Sequence, residues 1–279
     1  MDGIIIVNKP AGITSRDVVN HFGKRLGTRK IGHTGTLDPI AEGVLVLCVN
    51  KGTKLVELLT DHEKDYIATV KLGVLTDTLD TTGIVQVEEK AVVDKEQLIN
   101  TLNSFNKEYE QEVPIYSAVK IDGKKLYEYA REGTYFEITI PKRKVKISNV
   151  ELVAFDGDTF TFKSHVSKGT YIRALIRDIC EALGTVGTMA KLVRTKLGDF
   201  KIEDAIGMDD DIKIISIDEV LSKYKTIDMD DTLEKKISNG VPYECDFEEP
   251  YLYFRYNGMP EALYRLEKDH KYHMSQFFK

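Results

Sequence analysis

The stretch from Gly32 to Gly43 constrains the fold more than any other part of the chain. It is poor in large apolar residues, yet it lies between the apolar pattern of an amphipathic helix and that of a buried strand. Glycines on either side of His33 let the backbone turn tightly and approach a ligand closely, and Pro39 disfavours helical backbone at Asp38. We therefore expect a functional loop that presents the Asp38 carboxylate from extended backbone. An ordinary Asp-Pro surface turn has a similar composition, and this stretch alone leaves that alternative open.

The apolar residues on both sides of this loop predict a mixture of strands and helices. Continuous or alternating apolar residues indicate strands, whereas a 3.6-residue apolar period behind a capping residue indicates a helix. The dipeptide Asp122-Gly123 is typical of a hairpin turn. The predicted strands cover residues 3–7, 44–49, 64–73 and 185–200, with three more between 135 and 166; the predicted helices begin at Thr14 or Ser15, Asn50, Asp94 and Tyr171, and residues 75–83 are predicted to form a loop.

Composition excludes several classes of protein. A hydrophobic content of 42% with 30% charged residues is ordinary for a folded domain. No apolar run approaches the roughly 20 residues that a membrane helix needs, and the apolar run near the N-terminus is too short for a secretory signal. Three widely spaced cysteines argue against a disulfide framework. We therefore expect a cytoplasmic protein that does not bind a membrane.

The net charge of −6 conceals an asymmetry between the two ends of the chain. Residues 201–279 hold 11 Lys and Arg against 18 Asp and Glu, whereas residues 1–200 hold 28 against 27. The basic residues of this larger part are clustered around residues 24–30, 142–146 and 163–177. Because phosphate binding depends on the local field, these clusters are compatible with a nucleic-acid partner. A solvated surface of mixed charge explains any single cluster equally well.

Motifs for the common cofactors are missing from the sequence. It has no phosphate-binding Gly-rich loop, no dinucleotide fingerprint and no His-Glu-x-x-His zinc site, so we expect no cofactor and no metal. A carboxylate can act as base or nucleophile without either, which makes Asp38 a candidate. In a dry pocket it would need a cation, and Arg173, near the start of a predicted helix, is one candidate. A surface arginine on that helix is the alternative.

The segment Lys124–Arg131 interleaves basic and aromatic side chains. Such side chains can pair with RNA phosphates and stack on bases. An amphipathic helix whose lysine stems cover apolar surface has the same composition, and this segment alone favours the second explanation.

Together, these motifs resemble the TruB family of tRNA pseudouridine synthases. The resemblance extends in the family's order over about residues 1–200. It rests on Asn8-Lys9-Pro10 and Thr14-Ser15, the loop at 32–43, Lys64-Asp65-Tyr66, the segment from Val113 to Arg131, Ser167–Arg173, and Leu192 with Arg194.

The resemblance implies a pseudouridine synthase fold of class α+β. We expect a mixed, largely antiparallel sheet with flanking helices in a catalytic domain at residues 1–230, with a thumb insertion at about 111–141. A short PUA-like C-terminal domain would follow at residues 231–279, since Lys236–Gly240 resembles the start of one.

The same resemblance implies that the chain isomerises uridine to pseudouridine at position 55, in the T-arm of tRNA. Asp38 would be the catalytic carboxylate, acting either as nucleophile on ribose C1′ or as base at C2′, and Arg173 would stabilise its charge. The target uridine would be flipped out of the RNA. His33 would insert into the RNA near the vacated position, Tyr66 would stack on the flipped base, and Leu192 would pack on the other side of the pocket. We expect a monomer.

Two other functions remain open. A non-catalytic RNA-binding protein could keep the scaffold and the thumb, although it would not need Asp38, Tyr66 and Arg173. A carboxylate hydrolase would need a second acid at a suitable distance; Glu42, Asp77 and Asp80 are candidates without a supporting motif.

Overall fold

A computed structural model describes all residues from 1 to 279, and its helices and strands alternate along most of the chain. The first half contains β1 (Gly3–Lys9), α1 (Ser15–Leu26), β2 (Ile31–His33), β3 (Glu42–Val49), α2 (Val56–Thr60), β4 (Lys64–Leu72), β5 (Val74–Thr76), β6 (Val85–Glu88), α3 (Lys95–Ser104), β7 (Glu108–Glu112), β8 (Lys120–Ile121), β9 (Lys124–Lys125) and α4 (Leu126–Glu132). The second half contains β10 (Lys142–Phe155), β11 (Thr159–Val166), α5 (Ile172–Ala182), β12 (Gly187–Leu197), β13 (Phe200–Lys201), β14 (Ile215–Ser216), α6 (Ile217–Leu221), β15 (Lys225–Met229), α7 (Asp231–Ser238), β16 (Tyr251–Tyr256), β17 (Met259–Leu266) and β18 (Tyr272–Phe277).

Ten strands form one sheet in the order β14-β1-β3-β12-β4-β11-β10-β7, with β2 paired to β3 and β13 paired to β12. Every pair is antiparallel except β12 with β3, which run parallel at Val193↔Glu42 and Arg194↔Gly43. The predicted α+β fold with a mixed, largely antiparallel sheet is therefore confirmed. The parallel contact places the end of the Gly32–Gly43 stretch beside the middle of β12.

Helices α1, α3 and α5 cover one face of this sheet. Their apolar residues join the inward residues of the strands in a cluster of 31 buried side chains. From α5 alone, Ile172, Leu175, Ile176 and Ile179 enter this core, and full burial of such a side chain stabilises the fold by about 1.5–3 kcal/mol. The packing fixes α5, and with it the position of Arg173 in its first turn.

A second, four-stranded sheet, β15-β16-β17-β18, lies at the C-terminal end of the chain. It packs on the other face of the large sheet through Tyr253, Leu263 and Phe278, which share a buried cluster with Leu59 and Leu221. The second sheet begins at Lys225, since β15 pairs in parallel with β16; the division at residue 230 stays a prediction. None of the helices has the length and hydrophobicity that crossing a lipid bilayer requires.

Several local predictions are confirmed. Thr14 caps α1 in a capping box with Asp17, and the Asp94 side chain accepts hydrogen bonds from the backbone at the start of α3. The hairpin at Asp122-Gly123 joins β8 to β9, and both turn residues have positive φ, 50° and 83°. These signals are short-range, which explains why they could be identified from sequence.

Two local predictions are wrong, and a third is incomplete. Residues 77–83 form the predicted loop, but Leu75 and Thr76 belong to β5, which pairs with the exposed four-residue strand β6 in a hairpin that the sequence did not predict. The region 135–166 holds two strands instead of three, because β10 is one 14-residue strand that pairs with β7 in its first half and β11 in its second. Asn50 does not cap a helix: its φ is 51°, and its side chain bonds Thr28 and the Met1 carbonyl.

Candidate active site

The sequence leaves open whether Arg173 reaches Asp38, and the structure shows that it does. Arg173 Nε donates to Asp38 Oδ2 over 2.9 Å, and Nη2 donates to Asp38 Oδ1 over 3.3 Å. Arg173 belongs to the first turn of α5, whereas Asp38 lies in the segment between β2 and β3. Two donors on the two carboxylate oxygens hold the plane of the carboxylate as well as its position.

The same guanidinium binds two more segments of the chain. Nη1 donates to the Thr78 carbonyl over 2.7 Å, and Nη2 donates to the Tyr116 carbonyl over 3.0 Å. Arg173 is only 6% exposed, whereas the Asp38 side chain is 34% exposed. The arginine is therefore a buried junction of three segments, and the carboxylate is the part of the ion pair that a ligand can reach.

Buried side chains beneath the loop hold Asp38 from the other side. Lys9 is fully buried, and its Nζ donates to the carbonyls of Pro10, Ile13 and Pro39. Burial lowers the pKa of Lys9 to about 8. The Ser15 hydroxyl accepts from the Leu37 backbone N–H over 2.9 Å. These bonds fix the residues on both sides of Asp38, so the loop is rigid where the carboxylate is presented.

Arg194 connects the two ends of the loop, and sequence reasoning included it only as part of a motif. It is 1% exposed; Nε donates to the Val44 carbonyl over 2.7 Å and Nη2 to the Gly35 carbonyl over 3.1 Å. A Cβ at Gly43, whose φ is 101°, would lie 2.2 Å from the Arg194 carbonyl oxygen, so only glycine fits there. The two-residue period of β12 is the sequence feature that indicates burial of Arg194, because it places Arg194 on the same inward face as Leu192.

Tyr66 and Leu192 line one cleft together with Asp38 and Arg173. The cleft has a volume of about 680 Å³. In the register of the sheet, Tyr66 on β4 lies opposite Arg194, and Leu192 lies opposite Ala68. Four of the five predicted site residues are thus brought together by α5, β4, β12 and the loop.

His33 is the predicted site residue that does not line this cleft. It ends β2, and its Nδ1 accepts a hydrogen bond from the Gly35 backbone N–H over 3.3 Å. Burial, together with the charges of Arg16 and Arg194, lowers the pKa of His33. The ring is therefore neutral at neutral pH and lies one residue before the cleft wall begins at Thr34.

Basic side chains line the cleft, although the chain is acidic overall. Besides Arg173 and Arg194, they are Lys64, Arg131, Arg143 and Lys168. Lys64 donates to the carbonyls of Thr60 and His62, and burial lowers its pKa to about 8. Local positive charge attracts phosphate whatever the total charge of the chain.

The segment predicted as the thumb places cations on aromatic rings. Lys124 lies 4.4 Å from the Tyr129 ring centroid, and Lys125 and Arg131 lie 5.3 and 5.4 Å from that of Tyr127. Of these residues, Tyr127 and Arg131 line the cleft. The segment is also tied to the site through the bond between Arg173 and Tyr116.

The three candidate second acids have local partners. Asp80 lines the cleft, but its Oδ1 accepts from Thr78 Oγ1 and from both the backbone and the hydroxyl of Thr82. Asp77 accepts from the Tyr116 hydroxyl over 3.0 Å, and Glu42 lies 3.6 Å from Lys191. These contacts hold the loops around the cleft in place.

Comparison with known proteins identifies matching family models and relatives. Residues 24–172 match "TruB family pseudouridylate synthase (N terminal domain)", and residues 173–233 match "tRNA pseudouridylate synthase B C-terminal domain". The tRNA pseudouridine synthase B of Clostridium tetani is 44% identical over 248 residues, which cover 86% of this chain and 85% of that protein. The protein of the same name from Bacillus subtilis is 41% identical over 262 residues, covering 88% and 84%.

The fold is also found among solved structures. A chain in the crystal structure of a Cbf5-Nop10-Gar1 complex superposes with a TM-score of 0.73 and 24% identity, covering 100% of this chain and 85% of that chain. A chain of an H/ACA RNP bound to a substrate RNA containing 2′-deoxyuridine gives 0.70 and 22%, covering 99% and 85%. At these identities, the likeness concerns the fold alone.

Proposed function

Because this chain belongs to the TruB family of pseudouridylate synthases and is an enzyme that isomerises uridine to pseudouridine in tRNA, we propose that its target is uridine 55 of the T-arm. Neither a non-catalytic RNA-binding protein nor a carboxylate hydrolase is consistent with this family membership. We propose that Asp38 performs the chemistry and that residues 1–200 supply the remaining groups of the site.

The observation that carries this proposal is the ion pair between Asp38 and Arg173 in the wall of the cleft. Two of the arginine's nitrogens bind the carboxylate, at 2.9 and 3.3 Å, and Arg173 itself is buried. Two directed bonds from one buried cation fix the orientation of the carboxylate. An oriented, charged and partly exposed carboxylate is what either route of attack on the ribose requires.

The reaction exchanges one bond to ribose for another. The N-glycosidic bond between N1 and C1′ breaks, the uracil rotates, and C5 bonds to C1′ while the proton on C5 is lost and N1 gains one. Asp38 acts on the sugar either as nucleophile at C1′ or as base at C2′. Uridine and pseudouridine are isomers, so the balance needs no oxidant, reductant or group donor.

A uridine within a folded T-loop must leave the base stack before Asp38 can reach its ribose, at a cost of a few kcal/mol. Tyr66 and Leu192, which line the cleft from neighbouring strands, would hold the flipped base between them. Stacking on an aromatic ring is worth about 1–3 kcal/mol per base. The two side chains thus offset much of the unstacking cost.

We propose that His33 acts on the RNA outside the cleft. It lies on β2 beside the cleft wall, and its lowered pKa keeps the ring uncharged. A neutral, flat ring can occupy the gap that the flipped nucleotide leaves. We propose this role for His33, with the segment at about 111–141 closing over the RNA from the other side.

The C-terminal part contributes differently. Residues 231–279 would form a small PUA-like domain attached to the catalytic domain at residues 1–230. Their acidic composition provides little attraction for phosphate, so the basic cleft and the thumb would supply most of the electrostatic binding. One chain carries every residue of the proposed site, and we expect it to act as a monomer.

Position-resolved detection of pseudouridine tests this proposal. The protein is incubated with an unmodified tRNA transcript and, as a matched control, with the same transcript carrying cytidine at position 55. We expect pseudouridine at position 55 of the first RNA and none in the second. Pseudouridine at another position, or equal amounts in both transcripts, would contradict the assignment of the target. Release of free uracil would indicate hydrolysis.

A further inference from the structure

The segment at about 111–141 carries two neighbouring aromatic side chains that face solvent. Tyr135 is 42% exposed and Phe136 is 74% exposed. Their ring centroids lie 6.0 Å apart, and the ring planes meet at 72°. Among all the tyrosines and phenylalanines of the chain, the one other exposed residue is Phe247, at 37%. A single exposed ring is ordinary, whereas two adjacent rings form an apolar patch that a ligand can cover.

The main chain holds this pair at the end of α4. Gly133, whose φ is 69°, ends the helix, and a short 3₁₀ turn follows at Tyr135–Glu137. Between them, the Thr134 N–H donates to the Tyr129 carbonyl over 3.0 Å. The turn is therefore fixed relative to α4, whose Arg131 lines the cleft.

The pair lies beside the part of the cleft wall that Tyr116 forms. Burial and the bond to Asp77 raise the pKa of the Tyr116 hydroxyl, and Tyr135 is near enough to contribute to the same rise. Neither Tyr135 nor Phe136 lines the cleft itself. The two rings are thus close to the site of Asp38 but outside the space that a flipped uridine would occupy.

The size and the charge of the patch favour an RNA base over a protein. Within residues 111–141, these two rings are the only exposed large apolar side chains, whereas a stable protein interface buries about 800 Å² on each partner. Exposed cations flank the pair in sequence at Arg131, Lys142 and Arg143. Aromatic rings among cations can stack on unpaired bases while the cations bind the adjacent phosphates.

We propose that Tyr135 and Phe136 form a stacking platform for an unpaired base of the substrate RNA other than the flipped uridine. This inference rests on the proposed function, which places the flipped uridine in the cleft between Tyr66 and Leu192. Its neighbours in the RNA loop remain outside the cleft, within reach of the thumb. Because the two rings are nearly perpendicular, one base can stack on the face of one ring and contact the edge of the other. The platform holds the RNA loop against the thumb while the uridine is in the cleft.

Replacement of Phe136 tests the inference through the Kd of a T-arm hairpin RNA. We expect Phe136→Ala to raise Kd at least about fivefold, the lower end of the effect of losing one base–aromatic stack. Phe136→Leu should raise it by a similar factor, because leucine is apolar but has no flat face, and Phe136→Trp should stay within about twofold of wild type. The melting temperature of Phe136→Ala should not fall, because the side chain is exposed.

Abasic nucleotides in the RNA identify the base that stacks. Each unpaired loop nucleotide of the hairpin except uridine 55 is replaced in turn by an abasic one. One of these replacements should raise the Kd of the wild type by the same factor as Phe136→Ala. It should have no further effect on Phe136→Ala, because the two changes remove the same contact.

Phe247→Ala is the matched control. Phe247 is also exposed, and Lys225 lies 4.8 Å from its ring centroid, but it is far along the chain from the thumb and does not line the cleft. Its Kd should stay within about twofold of wild type.

Three results would overturn the inference: a Kd within twofold of wild type for Phe136→Ala or Phe136→Leu, an equal rise in Phe247→Ala, or abasic effects that all add to that of Phe136→Ala. Pseudouridine formation by the wild type is measured separately on the same hairpin. Absence of product at position 55 would mean failure of the proposed function, whereas the Kd comparison decides on the stacking platform.

Discussion

Arg173 makes Asp38 part of a rigid unit. Its guanidinium contacts two carboxylate oxygens and two carbonyls from separate segments. Local motifs identified Asp38 and Arg173 as candidates, but only the family resemblance paired them, because they are 135 positions apart. Arg194 and Lys9, two further buried cations near the loop, were not predicted to support it, because their bonds go to main-chain carbonyls that carry no sequence signature.

Arg173→Lys tests whether this geometry matters beyond its charge. Lysine keeps the positive charge, but its ammonium cannot make the four directed bonds of the planar guanidinium. We expect turnover to fall at least about 100-fold, which corresponds to about 2.7 kcal/mol of barrier, and the free energy of unfolding to fall by about 1–3 kcal/mol. Single-turnover kinetics and chemical denaturation measure the two effects.

Arg177→Lys is the control for this substitution. Arg177 lies on the same helix one turn later, is more exposed, and bonds Asp178 and the Glu112 carbonyl. We expect its turnover to remain within about threefold of wild type. Wild-type turnover in Arg173→Lys would show that a positive charge beside Asp38 is enough for catalysis and that the geometry of the guanidinium is not needed.

His165 gives the stability of the protein a pH dependence. It lies opposite Asp65 on the neighbouring strand, bonds that carboxylate through Nδ1, and bonds Glu63 through Nε2 over 2.9 Å. Burial favours the neutral ring, but the bonds to Asp65 and Glu63 outweigh it and raise the pKa of His165. The stabilisation is complete below the unfolded-state pKa of about 6.5 and is lost as pH rises through the folded-state pKa.

Thermal unfolding of wild type and His165→Gln between pH 6 and 9 measures this contribution. The difference in melting temperature should be largest at about pH 6 and should shrink as the pH rises. A difference that is flat or grows with pH would rule out a protonated His165 in the folded protein.

At the scale of elements, the parallel pairing of β12 with β3 positions the loop that carries Asp38. This short contact sets Arg194 beside Gly43, and α5 carries Arg173, which contacts Asp38. The individual strands and α5 could be predicted from their apolar patterns, but sheet order could not, because patterns show which face is buried and not which strand is the neighbour. The β5–β6 hairpin was not predicted, because its second strand is only four residues long and buries no face.

The element between β9 and the end of α4 carries a prediction about RNA binding. Replacement of Lys124, Lys125 and Arg131 by glutamine should weaken tRNA binding. It should also flatten the dependence of log Kd on log salt by roughly 0.7 for each side chain that contacts a single-stranded phosphate. Titrations at several salt concentrations measure both quantities.

A second triple variant, with glutamine in place of Lys90, Lys95 and Lys201, is the control, because it removes the same number of positive charges. These lysines are exposed and do not line the cleft. Equal salt slopes for the two triple variants would mean that the thumb makes no specific contribution to the binding of RNA phosphates.

At the scale of the whole molecule, the two sheets share a core. Residues of the large sheet, α6 and the C-terminal sheet occupy one cluster of 14 buried side chains, and Lys54 donates to the Phe277 carbonyl. The sequence did not predict this shared core. On the strands of the C-terminal sheet, residues of the shared core alternate with residues of a separate buried cluster. The alternation shows that both faces of this sheet are apolar, but not which part of the chain covers each face.

Phe278→Ala tests the coupling of the two sheets. Phe278 is 1% exposed, and truncation of a buried phenylalanine costs about 3–5 kcal/mol. Because the core is shared, near-UV and far-UV circular dichroism should still follow one transition at lower temperature. Phe247→Ala, at a residue 37% exposed, should cost less than about 1 kcal/mol. Two separate transitions in the wild type would mean that the sheets unfold independently.

Asp38→Asn tests the central claim most directly, because it removes the charge of the carboxylate while keeping the size of the side chain. Pseudouridine formation at position 55 and tRNA affinity are measured for this variant beside the wild type. We predict that tRNA binds with a Kd within about threefold of the wild-type value, since one partly exposed carboxylate contributes little to a surface that binds phosphates, and that no pseudouridine forms. Pseudouridine at the wild-type rate would contradict the account.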